Sequence, residues 1–161
     1  MRYVMALAVV LALALIPLGT GSAQQRTAWV AYLSGAEEVP PINTQATGQV
    51  TFELNAQRTA ITYHVIVNNL NNVMMGHIHV GAAGQNGGVA VWLYPAAPPP
   101  VLRPGITSDV LASGTITAAN FMGPLQDRQL SDLISLLDSG GAYANFHTQM
   151  HGGGEIRGQI R

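Results

Sequence analysis

The sequence predicts an all-β fold, an antiparallel sandwich or barrel with one short helix. Three observations carry that prediction. Apolar and polar residues alternate with a period of two through several runs of strand length, and Gly, Asn and Pro punctuate the gaps between them. A single stretch switches to helical spacing. Short strands at this spacing are the signature of sandwiches and barrels.

The first 23 residues stand apart. One arginine, Arg2, precedes an apolar run from Val4 to Ile16, which Pro17 and Gly19 break. Gly21-Ser22-Ala23 supplies the small residues a signal peptidase accepts, so residues 1–23 read as a signal peptide and 24–161 as the mature domain. The run is short for a membrane span, and no cysteine is present for lipid attachment or disulfides. The expected location is therefore extracytoplasmic, secreted or periplasmic, with no transmembrane segment after cleavage. The 161 − 23 = 138 residues that remain suit one domain.

Along that domain, Ala28–Leu33 is the first strand candidate. "TGQVTFEL" places Gly48, Val50, Phe52 and Leu54 on one face. "TAITYHVIV" does the same with Ile61, Tyr63, Val65 and Val67. The residues between, Asn55 to Arg58, predict a hairpin that pairs Leu54 with Thr59 and sets both apolar faces on one side. Further strands are expected at Val73–Val80, Val89–Tyr94, Val110–Thr117, Ala142–Thr148 and Gly154–Ile160. "YPAAPPPVLRPG" reads as a surface crossover. The helix lies in "QDRQLSDLISLLDSGG", where Leu130, Leu133, Ile134 and Leu137 form one stripe that ends at Gly140 and Gly141.

Charge excludes some functions. All seven basic residues are arginine, against eight acids, with no basic patch, so neither nucleic acid nor an anionic membrane is an expected partner. No G-x-S-x-G elbow, P-loop or H-E-x-x-H helix appears, and no catalytic residue is assigned. Glu37 and Glu38 are adjacent, so on an extended chain they point apart and form no acid–base pair.

The histidines carry the remaining chemistry. In "GHIHVG", His77 and His79 share one face of a strand, opposite Ile78 and about 7 Å apart. In "AYANFHTQ", Tyr143, Asn145 and His147 form the polar face. Pairing Thr148 with Gly154 across the glycine-rich turn sets His147 opposite Glu155 and Asn145 opposite Arg157. Glu155 is then expected to orient His147, and Arg157 to offset nearby negative charge and tie down the strand ends. If the two histidine strands are neighbours, His77, His79 and His147 could hold copper or zinc, with His151 an optional fourth ligand. The competing reading is that these imidazoles hydrogen-bond the "VGAAGQNGG" loop. His64 shares a solvent face with Thr62.

Three stretches, "LSGAEEVPPINTQATGQV", "HIHVGAAGQNGGVAVWL" and "NFHTQMHGGGEIRGQI", closely resemble the CHRD domain, named after chordin. The resemblance runs from about Ala28 to Arg161 and covers His77, His79, Asn145, His147, Glu155 and Arg157 residue by residue. It implies an immunoglobulin-like β-sandwich and an extracytoplasmic life, without an established activity. Members usually carry a proline where this chain has Gly152, after His151, so His151 has little support from the family as a ligand. The H-x-H pair is also similar, locally, to copper/zinc superoxide dismutase, a Greek-key sandwich that needs more histidines than the five here. The expectation is a non-enzymatic binding or surface module with a copper or zinc site. The alternatives are a metal-dependent redox enzyme and a self-associating matrix protein. The partner classes left open are an extracellular protein, a glycan or a metal ion.

Overall fold

A computed structural model describes residues 26–161. The expected signal segment, residues 1–23, lies outside the described residues. The strands are β1 (Ala28–Ser34), β2 (Thr47–Leu54), β3 (Ile61–Val80), β4 (Gly88–Tyr94), β5 (Arg103–Ile116), β6 (Ala142–Thr148) and β7 (Ile156–Gln159). The helix α1 spans Leu130–Ser139. None of the described helices is long and apolar enough to cross a membrane.

The expected sandwich is corrected to a barrel. Strands β2, β1, β7, β6 and β3 pair in that order, and β3 pairs back to β2, which closes a five-stranded ring. At the β1–β7 seam, Ser34 pairs with Arg157, and the backbones of Val30 and Arg161 exchange hydrogen bonds of 2.8 and 2.9 Å. Strands β4 and β5 are added on β3 outside the ring.

The length of β3 explains the difference. The sequence "VNNLNNV" reads as a break between two strands, yet the chain stays extended through it. Asn69 and Asn72 adopt left-handed backbone angles, φ 56° and 52°, which asparagine tolerates better than most residues. Register shifts against β5 fall between Val67 and Leu70 and between Asn71 and Val73. Such bulges let one strand turn a corner while pairing continues. The first half of β3 therefore pairs β2 and β5, and the second half pairs β4 and β6.

Alternation decides what fills the ring. Phe52, Ile61, Tyr63, Ile78, Phe146 and Ile156, each on the apolar face of its strand, are all buried. The β2–β3 hairpin is two residues longer than expected. Leu54 pairs with Ile61 rather than Thr59, because the Asn55 side chain accepts hydrogen bonds from the Thr59 and Ala60 amides and widens the turn. A shift of two preserves the faces. In α1 the stripe Leu130, Leu133, Ile134 and Leu137 joins the same core, and the Trp29 indole donates to Asp138 at 3.0 Å.

Candidate metal centre

The register of β3 against β6 assembles the site. His77 pairs with Asn145, His79 with Tyr143, and Met75 with His147. His77, His79, Tyr143, Asn145 and His147 therefore share the face opposite Ile78 and Phe146. Strand β4 adds Trp92 across from His77, and β7 adds Arg157 across from Asn145. That polar face is buried: His77 is 2% exposed, His147 6%, His79 7% and Arg157 1%. Three segments fold over it: the 81–87 loop, the stretch carrying Glu38, and the 149–154 turn.

The hydrogen bonds fix the imidazole protons. His79 Nδ1 lies 2.9 Å from the Gly87 carbonyl, and His147 Nδ1 lies 3.1 Å from the Gly152 carbonyl. A carbonyl only accepts, so both Nδ1 atoms carry hydrogen and both Nε2 atoms carry a lone pair. His77 Nδ1 sits 3.2 Å from His147 Nε2 and donates to it, which leaves a lone pair on His77 Nε2. The buried Nε2 atoms of His77 and His79 have no partner. Burial pushes the His77 imidazole down to about 3, with the charges His147 and His79 would carry adding to the effect. Burial, then His79, lowers His147 to about 4 against the Gly152 bond. Burial also lowers His79, opposed by its Gly87 bond, with Arg157 lowering it further. All three rings are neutral at pH 7.

One ligand nitrogen from each of His77, His79 and His147 lies within 4.8 Å of the others. Bonds of about 2.0–2.1 Å to a tetrahedral ion place nitrogens about 3.3–3.4 Å apart. The 3.2 Å contact is the hydrogen bond from His77 Nδ1 to His147 Nε2, so it brings the two rings together without itself being a ligand spacing. Neutral rings, carbonyl-anchored Nδ1 atoms and unpartnered Nε2 atoms together fit a metal ion with imidazole ligands.

The neighbouring groups differ from expectation in two respects. Glu155 does not hold His147. Strand β7 begins only at Ile156, and the Glu155 carboxylate instead accepts the hydroxyls of Thr44 at 2.7 Å and Thr148 at 2.6 Å. His151 stands outside the three-histidine group, and it ties the turn through its backbone, whose carbonyl accepts from Thr148 and Gly154. Asn145 does sit between His77 and Arg157 as the register requires. His64 is exposed on β3.

Glu38 is the group the sequence reading missed. Its neighbour Glu37 is exposed while Glu38 is buried, the signature of adjacent residues on opposite faces. Burial pushes the Glu38 carboxyl up to about 7, opposed by Arg157 and by the Asn145 bond. Its Oε2 accepts from Asn145 Nδ2 at 3.4 Å, while Glu38 Oε1 and Asn145 Oδ1 have no partner. Both oxygens lie 2.6 Å from where a Cβ on Gly154 would sit, and φ there is +130°, so only glycine fits.

A model of the CHRD domain matches residues 29–160. The chain belongs to the CHRD-domain family. Neither a curated protein nor a solved structure matches it. The match spans every strand of the barrel, so the histidine face is part of the CHRD domain itself rather than of an added segment.

Proposed function

We propose that this CHRD domain is an extracytoplasmic binding module that takes up one divalent first-row metal ion, Cu²⁺ or Zn²⁺, through His77, His79 and His147. The observation that carries the reading is the pair of buried imidazole nitrogens, His77 Nε2 and His79 Nε2, that have no hydrogen-bond partner. A buried polar atom left unpaired costs about 1–3 kcal/mol. A metal ion removes that cost, because His77 Nε2 and His79 Nε2 each offer a free lone pair without releasing a proton; the His147 Nε2 lone pair becomes available once the ion replaces its hydrogen bond from His77 Nδ1. Three imidazoles and no thiolate suit zinc and copper, and copper binds more tightly on the general affinity order.

The protein's own residues hold the ligands ready. Gly87 and Gly152 orient two rings through their carbonyls, the edge-on Trp92 indole flanks His77 at 4.4 Å, and the Tyr143 ring stacks on His79 at 4.9 Å. When bound, the ion would supply a Lewis-acid or redox centre shielded from bulk water. That enclosure favours retention of the ion over turnover. The apolar run and the small-residue motif of residues 1–23 support export.

Calorimetry on metal-stripped protein tests the reading. One Cu²⁺ or Zn²⁺ per chain is expected, with binding lost in His79→Ala and retained in His64→Ala. No binding tighter than roughly 1 mM, about −4.1 kcal/mol, would remove the metal site. Stoichiometric metal together with superoxide consumption would move the assignment from binding module to redox enzyme.

A further inference from the structure

Arg157 is among the largest fully buried side chains of the described residues, and the metal site does not use it as a ligand. Its guanidinium spends its donors on a single segment. Nη1 donates to Asn86 Oδ1 at 3.1 Å, and Nη2 donates to the carbonyls of Gln85 at 2.7 Å and Ala82 at 3.3 Å. All three acceptors lie in the loop of residues 81–87. That loop has no apolar anchor: Ala82, Ala83, Gly84, Gln85 and Asn86 are all exposed. Its base is fixed, since the Gly81 amide donates to Gly141 and the Gly81 carbonyl accepts from Gln159. At its other end Gly87 passes so close to the Val80 carbonyl that no Cβ could be accommodated.

The same loop holds the site. Gly87 accepts from His79 Nδ1 and donates its amide to the Tyr143 hydroxyl at 3.0 Å. Tyr143 stacks on His79 with ring planes only 9° apart. The Arg157 guanidinium lies 3.5 Å from the Tyr143 ring centroid. A circuit results: Arg157 grips the loop, the loop holds His79 through Gly87, Tyr143 supports both, and Arg157 supports Tyr143. Hydrogen bonds from charged donors and cation–π contacts are strengthened by burial.

We propose that Arg157 and the 81–87 loop form a latch over the three imidazoles, and that Arg157 is the positioning residue that sets how fast metal enters and leaves. The inference rests on the metal reading above. A loop held by hydrogen bonds alone opens locally without unfolding the barrel, as lids over buried sites do. Opening it releases the Gly87 carbonyl from His79 and exposes the rings. Arg157 supplies three of the bonds that oppose this motion.

Two measurements test the latch. Zn²⁺-loaded protein is mixed with excess EDTA and release is followed in the unmodified chain and in Arg157→Met, Arg157→Lys and Asn86→Ala. Release should be at least about tenfold faster in Arg157→Met, an effect of about 1.4 kcal/mol. Arg157→Lys, which keeps the charge without the planar fork, should fall between the two. Asn86 is exposed, so Asn86→Ala keeps the fold and should also release faster. In metal-free protein, amide exchange at Gly87 should accelerate in Arg157→Met while Val65 in the barrel is unchanged. Equal release rates in all four proteins would overturn the latch and leave the metal site standing. If the unmodified chain takes up no metal, the metal reading fails on its own. Unchanged exchange at Gly87 in Arg157→Met, or acceleration at Gly87 and Val65 alike, would then sink the latch independently.

Discussion

Acidification should destabilise the metal-free domain below about pH 6.5, and the slope follows from the groups the fold buries. Burial, reinforced by the neighbouring imidazoles, holds His77 at about 3 and His147 at about 4 in the folded state, against about 6.5 in an unfolded chain. Their contribution to stability is complete above 6.5 and is lost as pH falls toward 4, because only the unfolded state takes up the protons. Each such proton changes stability by about 1.4 kcal/mol per pH unit. Glu38 acts in the opposite direction. Burial raises its carboxyl from 4.5 to about 7, so its contribution is complete below 4.5 and is lost as pH rises through 7. Between pH 4.5 and 6.5 two histidines oppose one carboxyl. The net slope is then about one proton, and the loss across that window is on the order of 3 kcal/mol. His79, also lowered by burial, steepens it. Above pH 6.5 only Glu38 still titrates among these groups, so stability should peak near pH 6.5. Urea denaturation at pH 4.5, 5.5, 6.5 and 7.5 reads this directly. A midpoint that stays constant or rises between pH 6.5 and 4.5 would refute the reasoning, as would NMR titration of the His77 ring near 6.5.

Other outcomes follow from the same structure. Glu38→Gln replaces an acid that holds its proton to about 7 with a permanently neutral amide, so at pH 8 the variant should denature at a urea concentration no lower than the parent. Phe52→Ala empties a fully buried position and should cost about 3–5 kcal/mol in the same assay. Gly154→Ala combines a forbidden backbone angle with contact against Glu38 and Asn145, so it should lower stability by about 1–3 kcal/mol or more. Intact mass of the exported protein should begin at Gln24, and a membrane-retained product carrying residues 1–23 would contradict that reading.

The face assignments were legible because alternation is a local property. Phe52, Ile78, Phe146 and Ile156 each followed from a run of five to eight residues, and the helical stripe from Leu130 to Leu137 from one more. The β6–β7 register was legible as well, since face matching across a short turn places Asn145 opposite Arg157. The choice of a closed barrel over a sandwich was not, because "NNLNN" looks like a break and only pairing with β5 and β6 shows that β3 runs through it. The cover over the histidine face was legible only in part. A bond from these imidazoles to the loop that follows "GHIHVG" is a reading the sequence offers, and His79 makes it to the Gly87 carbonyl, but nothing local announces that Glu38 and the 149–154 turn return to the same face. Glu155 was misassigned because cross-strand register sets which residues are opposite, while the Thr44 and Thr148 hydroxyls decided where its carboxylate turned.

The measurement that bears most directly on the central claim is a crystal of the zinc-loaded protein with data collected across the zinc absorption edge. A single anomalous peak is expected, about 2.0–2.1 Å from one nitrogen each of His77, His79 and His147. No peak, or a peak only at exposed His64 or in the turn at His151, would contradict the metal centre and leave the three imidazoles as supports for the loop that covers them.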